Sequence, residues 1–193
     1  MSFLITDKLD SRTYGQHATP TSFGAVVATW GAPLIGLLDE STTLRASCLL
    51  VSLSGAAGTA SALGQNPPQL RAAMAEALGL SDPGRSWHTD RTPLLRLCDW
   101  MVRVALALGK MGEDATELVQ SGIGEIRLGG AGASSTMPQK QNPVGPSVLV
   151  ALARQGSALL GAQHGAAVGR HQRDGAAWFT EWLVLPQIVL GTA

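Results

Sequence analysis

Charge is what this sequence has least of. Only 15% of its 193 residues are Asp, Glu, Lys or Arg, and 14 cations balance 14 anions. A zero balance excludes the broad basic footprint of a nucleic-acid binder or of a protein held on an anionic membrane, so any anion recognition must be local. The deficit also implies that large helix surfaces, rich in Ala, Leu, Val and Gly, are buried against other chains. Cysteine is scarce as well. Cys48 and Cys98 each sit inside an apolar helical run, which excludes a disulfide framework and predicts buried, reduced thiols in a cytoplasmic protein. No uninterrupted apolar run is long enough to span a bilayer. Residues 1–10 lack the basic region and long apolar run of a signal peptide. Strict alternation with β-branched enrichment is missing too, so no strand is expected, and no fixed-period repeat is present.

What remains is helix. A three-to-four spacing of apolar residues runs from Thr21 to about Ser54, through Leu34, Leu37, Leu38, Leu44, Cys48 and Val51. Thr19 is its expected N-cap and Pro20 an early helical residue, while Pro33 should kink or interrupt it. Ser54–Gly64 is built of small residues, which suits a loop or a helix packed very closely on a neighbour. Gln69–Leu80 reads as a short amphipathic helix after the Asn66-Pro67-Pro68 turn. Asp90 to about Val119, Val144 to about Val168 and Ala176–Leu190 read as three more. The expected architecture is all-α: residues 1–193 as a single long-helix bundle domain. Its helices are Ala/Gly-rich on more than one face, as suits a multi-chain bundle. The chain stops at Thr192-Ala193 without the polar ending of a free helix, and reads as unfinished.

One stretch resists regular structure. From Gly129 to Pro146 the sequence is G-G-A-G-A-S-S-T-M-P-Q-K-Q-N-P-V-G-P. Glycine and proline punctuate it too densely for a helix or strand. Two readings follow from composition: a flexible linker, or a mobile lid whose backbone N–H groups and few polar side chains close over an anion.

Its middle section, Ala133 to Pro143, resembles the fumarase/aspartase superfamily signature G-S-S-x-M-P-x-K-x-N-P and departs from it at Ala133. Arg12-Thr13-Tyr14-Gly15-Gln16-His17-Ala18-Thr19-Pro20 resembles that superfamily's second signature region. Most members have histidine where Tyr14 stands; the 3-carboxy-cis,cis-muconate cycloisomerases have an aromatic residue there, followed by Q-H-A-T-P. Gly55-Ala56-Ala57-Gly58-Thr59 is similar to the G-A-S-G-T segment. Trp87-His88-Thr89, Arg91, His171, Arg173, Trp178, Glu181 and Trp182 are also similar to the cycloisomerases. The resemblance implies a truncated central domain of the superfamily's helical bundle, without the family's N- and C-terminal domains. It implies a homotetramer whose active sites each draw on three chains. The implied reaction converts 3-carboxy-cis,cis-muconate to 4-carboxymuconolactone in protocatechuate breakdown, the β-ketoadipate route, with no cofactor and no metal.

That reaction closes a carboxylate onto a double bond and protonates the carbon beside another carboxylate. It needs a proton carrier, and donors fixed where enolate-like charge grows. The resemblance assigns the first role to Ser134, charge pairing to Lys140 and hydrogen bonding to Asn142. It assigns contact with a di- or tricarboxylate substrate to Arg12, Thr13, Gln16, His17, Thr19, Ser135, Met137 and Arg173. Read alone, Ser135 is a loop cap, Lys140 a solvated lysine and His17 a structural histidine. Trp87, His88, Trp178 and Trp182 read as packing and interface residues. Gln141 stands where the cycloisomerases have arginine, and Arg170 and Gln172 where they have acidic residues. Two alternatives stand beside this reading. One is a truncated homologue acting only as a helical assembly module. The other is another lyase, such as adenylosuccinate lyase; Tyr14 opposes it, because a phenol with a pKa of about 10 replaces the acid-base histidine poorly.

Overall fold

The computed structural model describes residues 8–129, 132–133, 136–137 and 140–193. The order is β1 (Lys8–Thr13), β2 (Gln16–Ser22), α1 (Phe23–Cys48), α2 (Pro67–Leu78), α3 (Thr92–Leu118), β3 (Gly132–Ala133), β4 (Gln141–Asn142), α4 (Val144–Ala166) and α5 (Gly175–Thr192). The all-α reading holds for the bulk of the chain, and Pro33 lies within α1 without ending it.

The expectation of no strand is corrected at the N-terminal hairpin. β1 and β2 pair antiparallel through the Tyr14-Gly15 turn. Tyr14 has φ +54° and Gly15 φ +72°, the doubly positive pair that matches the twist of a two-residue hairpin. The register shifts between Asp10 and Arg12. There the Ser11 hydroxyl donates to the Thr19 carbonyl (2.6 Å), and its oxygen accepts the Thr19 N–H (3.1 Å), so a side chain replaces the ladder at the bulge. Pro20 lies in β2, not in a helix. That is tolerated because a two-stranded sheet has only edge strands. The helix cap moves accordingly: Ser22, not Thr19, accepts the Ala25 N–H at 3.2 Å. α1 ends at Cys48 rather than Ser54, and the small-residue stretch that follows is a loop.

The chain divides into two compact units. The first comprises the residues up to Gly36 with Val104–Arg154. Its core is Phe23, Trp30, Ala115, Leu118 and Ile126, with Leu9, Val26, Met111, Val119 and Leu128 packed on it. Phe23 and Trp30 meet edge to face at 6.0 Å, and the Trp30 indole donates to Asp114 at 2.7 Å. α3 and α4 approach closely here. A Cβ at Gly109 would lie 2.6 Å from that of Ala153, and one at Gly112 would lie 2.6 Å from the Pro146 carbonyl oxygen.

The second unit comprises Leu37–Arg103 and Gln155–Ala193. Its core gathers Cys98, Met101, Val102, Val184 and Ile188. Cys48 and Cys98 are both free and buried, as expected. Burial, and then the Glu181 charge, push the Cys98 thiol up to about 11. α2 starts at an Asn66 cap that accepts the Gln69 N–H, with Pro in its first turn. It stops at Gly79, whose φ of +63° favours glycine. The Trp87 indole donates to the Val51 carbonyl at 2.8 Å, in keeping with a packing role.

Two glycines should respond oppositely to alanine. Gly31 has open space around its missing Cβ, so Gly31→Ala should stabilise by about 0.5–1 kcal/mol through helix propensity. At Gly112 the same gain meets a fixed backbone carbonyl, and overpacking of about 1–3 kcal/mol outweighs it. Urea unfolding of both variants measures the two signs; a gain at Gly112 would contradict the close α3–α4 approach.

Candidate active site

Directly paired residues of an antiparallel ladder share a face. Arg12 pairs with His17, and Thr13 pairs with Gln16. Thr13 and Gln16 therefore occupy one face beside the turn, and Arg12 and His17 the other. All except Arg12 are exposed, as is Thr19, and Tyr14 projects fully into solvent at the tip.

Arg12 is engaged by the protein itself. Its guanidinium donates to both Glu125 oxygens, at 2.8 and 2.5 Å, with each side chain only 19% exposed. The hydrogen bond from Arg12 holds the Glu125 carboxyl below its ordinary value against the opposing effect of burial. The same bond raises the guanidinium. A two-pronged, partly buried pair of this kind positions the hairpin against the segment after α3. Glu125 gave no signal in the sequence, because its partner lies far away along the chain. His17 Nδ1 lies 3.4 Å from Asp10 Oδ2 beside this pair.

The second group of expected residues lies where the loop rejoins α4. β4 pairs with the two residues of β3, Ala133 with Gln141 and Gly132 with Asn142. Gly132 is required there, since a Cβ would meet Val144 Cγ2 at 2.7 Å. The Lys140 N–H donates to the Met137 carbonyl at 2.9 Å. Lys140, Gln141, Asn142 and Pro143 form one wall of an open groove of about 500 Å³, and residues from Thr116 to Leu128 form the other. Among the described residues the groove lining includes no Asp or Glu. Ser134 and Ser135 lie outside the described residues.

Arg173 belongs to the second unit, where its guanidinium stacks on Trp178, 3.9 Å from the ring centroid. It lines a small cleft with His88, Arg91, Trp178 and Glu181. Behind it, Arg91 grips both Glu181 oxygens at 3.0 and 2.6 Å. The fully buried Gln163 amide donates weakly to Glu181 at 3.4 Å. Asp174 caps α5 through the Ala176 N–H. The Arg170 N–H, then its guanidinium, hold the Asp174 carboxyl down to about 2. The structure therefore brings Lys140 and Asn142 together in one groove. It groups Arg12, Thr13, Gln16, His17 and Thr19 on the hairpin, and it sets Arg173 in a cleft of the other unit. Among the described residues no group of three His, Cys, Asp or Glu could hold a metal ion.

The family model described as Lyase matches residues 9–156. The chain belongs to that Lyase family. The 3-carboxy-cis,cis-muconate cycloisomerase of Pseudomonas aeruginosa is 38% identical over 183 residues, covering 93% of this chain and 40% of that protein. A nitrosuccinate lyase of Streptomyces davaonensis is 35% identical over 182 residues, 89% of this chain and 38% of that one. The crystal structure of the 3-carboxy-cis,cis-muconate lactonizing enzyme from Pseudomonas putida matches with a TM-score of 0.87 and 34% identity. It covers 96% of this chain and 41% of that chain. The Lyase chain thus spans about two fifths of the length of the curated relatives it matches. The helical fold expected from the signature loop is the fold found, and the cycloisomerase resemblance holds along the chain.

The Arg12–Glu125 pair makes a pH prediction for this Lyase chain. Glu125 titrates lower when folded than its ordinary 4.5, so the unfolded chain takes up the proton first as pH falls. The stability it contributes is complete above about 4.5 and is lost as pH falls through the folded value. Glu125→Gln should cost about 2 kcal/mol at neutral pH and flatten the acid limb of the unfolding profile. An unchanged acid limb would contradict the pairing.

Proposed function

We propose that this chain carries the signature-loop part of the active site of an enzyme that lactonises 3-carboxy-cis,cis-muconate to 4-carboxymuconolactone. The observation that carries the reading is the groove holding Lys140 and Asn142 on a loop with the superfamily signature, in a chain whose relatives bear the cycloisomerase name. A carboxylate of the substrate adds to the double bond, and the carbon beside a second carboxylate gains a proton. Charge therefore grows on that second carboxylate as an enolate-like dianion. Lys140 supplies the balancing charge and Asn142 a neutral donor at that carboxylate, where fixed dipoles act most strongly. Ser134 delivers the proton, and its alkoxide is stabilised by loop N–H groups and by Lys140. Thr13, Gln16, His17, Thr19, Ser135, Met137 and Arg173 contact substrate, while Arg12 acts by holding the hairpin through Glu125.

A cytoplasmic homotetramer is part of the proposal, as is the supply of further site residues from other chains. Its support is apolar surface on α5: Trp182 is 59% exposed, Leu183 69% and Leu190 77%. No helix among the described residues is long and apolar enough to cross a membrane.

A second reading has its own support in the nitrosuccinate lyase relative. Elimination beside a carboxylate is the same proton chemistry run in reverse. The test offers both substrates to the chain, alone and mixed with the complementary region of a Pseudomonas relative. Loss of the diene absorbance of 3-carboxy-cis,cis-muconate is expected in the mixture, with Ser134→Ala slowing it by about 10²–10⁴-fold. Turnover of nitrosuccinate alone would favour the second reading, and normal turnover by Ser134→Ala would remove Ser134 from its role.

A further inference from the structure

The first unit holds five cations whose side chains are described: Arg12, Lys110, Arg127, Lys140 and Arg154. Three are paired with carboxylates: Arg12 with Glu125, Lys110 with Asp114 and Arg154 with Glu113. Arg127 and Lys140 form no ion pair among the described residues, and they are the two that line the groove. Every other polar group of the lining among the described residues is neutral, including Gln120, Ser121, Gln141 and Asn142. The placement of Arg127 follows from its neighbours. Ile126 is buried in the core and Leu128 packs against it, so the chain is pinned on both sides of Arg127, which stays exposed at the groove.

We propose that Arg127 is a second carboxylate-binding residue of this groove, and that it makes the site select a tricarboxylate over the dicarboxylate of the same carbon skeleton. This rests on the reading of the groove as the substrate site. Among the described residues, two unneutralised cations and no carboxylate in a groove of about 500 Å³ leave a local positive field in a chain of zero net charge. A second anionic group on the ligand lowers that field, and a neutral group at the same place does not. A guanidinium receives a carboxylate in a two-pronged contact, which fixes orientation as well as charge. Lys140, a point charge on a flexible stem, holds the carboxylate where reaction charge develops. Arg127 holds the extra one. The neighbouring Gln141 side chain contributes no charge, so the second cation of the groove comes from the far wall.

Calorimetric titration of the full chain with 3-carboxy-cis,cis-muconate and with cis,cis-muconate tests this. The unmodified chain should bind the tricarboxylate more tightly. Arg127→Gln should weaken it by about ten- to hundred-fold and leave the dicarboxylate nearly unchanged. Arg127→Lys should restore part of the preference, which a structural effect of the substitution would not do. Lys140→Gln should weaken both ligands. If Arg127→Gln weakens neither ligand, or both equally, while Lys140→Gln still weakens both, the role of Arg127 is overturned and the reading of the groove stands. If the unmodified chain binds neither ligand, alone or mixed with the complementary region of a Pseudomonas relative, both are overturned.

Discussion

The close approach of α3 and α4 is the constraint on which the rest of the first unit depends. Gly109 and Gly112 leave no room for a side chain between Ala153 Cβ, the Pro146 carbonyl and the two helices' backbones. The first turn of α4 is thereby pressed onto α3. The loop that precedes it must end at the same place, and Gly132 closes on Val144 to let it. Lys140, Gln141 and Asn142 are thus delivered opposite the segment that leaves α3. The close packing of the two helices thus sets a groove between two walls of one unit, with the short β4 in one wall.

Electrostatics then sorts the cations. Exposed ion pairs contribute little to stability, commonly less than about 1 kcal/mol. Their arrangement still carries information. Where the protein needs a cation for its own structure, a carboxylate lies beside it, as for Arg12, Arg91 and Arg103. Arg127 and Lys140 have no such carboxylate among the described residues, and the proposed substrate carboxylates would complete their charge. Arg12 shows why position in a motif does not settle a role. It stands in the second signature region, yet both ends of its guanidinium are bound to Glu125, so its effect on a ligand passes through the hairpin it holds.

Much of the fold was legible in the sequence, because buried stripes with helical spacing leave a strong local trace. The bounds of α3, α4 and α5 lie within a few residues of those expected. The hairpin was not legible for equally physical reasons. Its turn uses a tyrosine at positive φ rather than the usual Asn-Gly or Asp-Gly, and its bulge is bridged by the Ser11 hydroxyl, so the alternation of a strand is lost. The candidate site was legible through Lys140 and Asn142, which carry a motif. Glu125 and Arg127 carry none: one is defined by a partner 113 residues away, the other by two buried neighbours. Both become visible only when the segment after α3 is folded against its core.

The central claim is that the groove of the first unit receives the carboxylates. An amide-resolved NMR titration of the chain with 3-carboxy-cis,cis-muconate tests it most directly. The account predicts shifts concentrated at residues 120–128 and 140–143, with little change around Gln163 and Glu181. Shifts confined to the cleft of Arg173 and Trp178, with the groove silent, would contradict it.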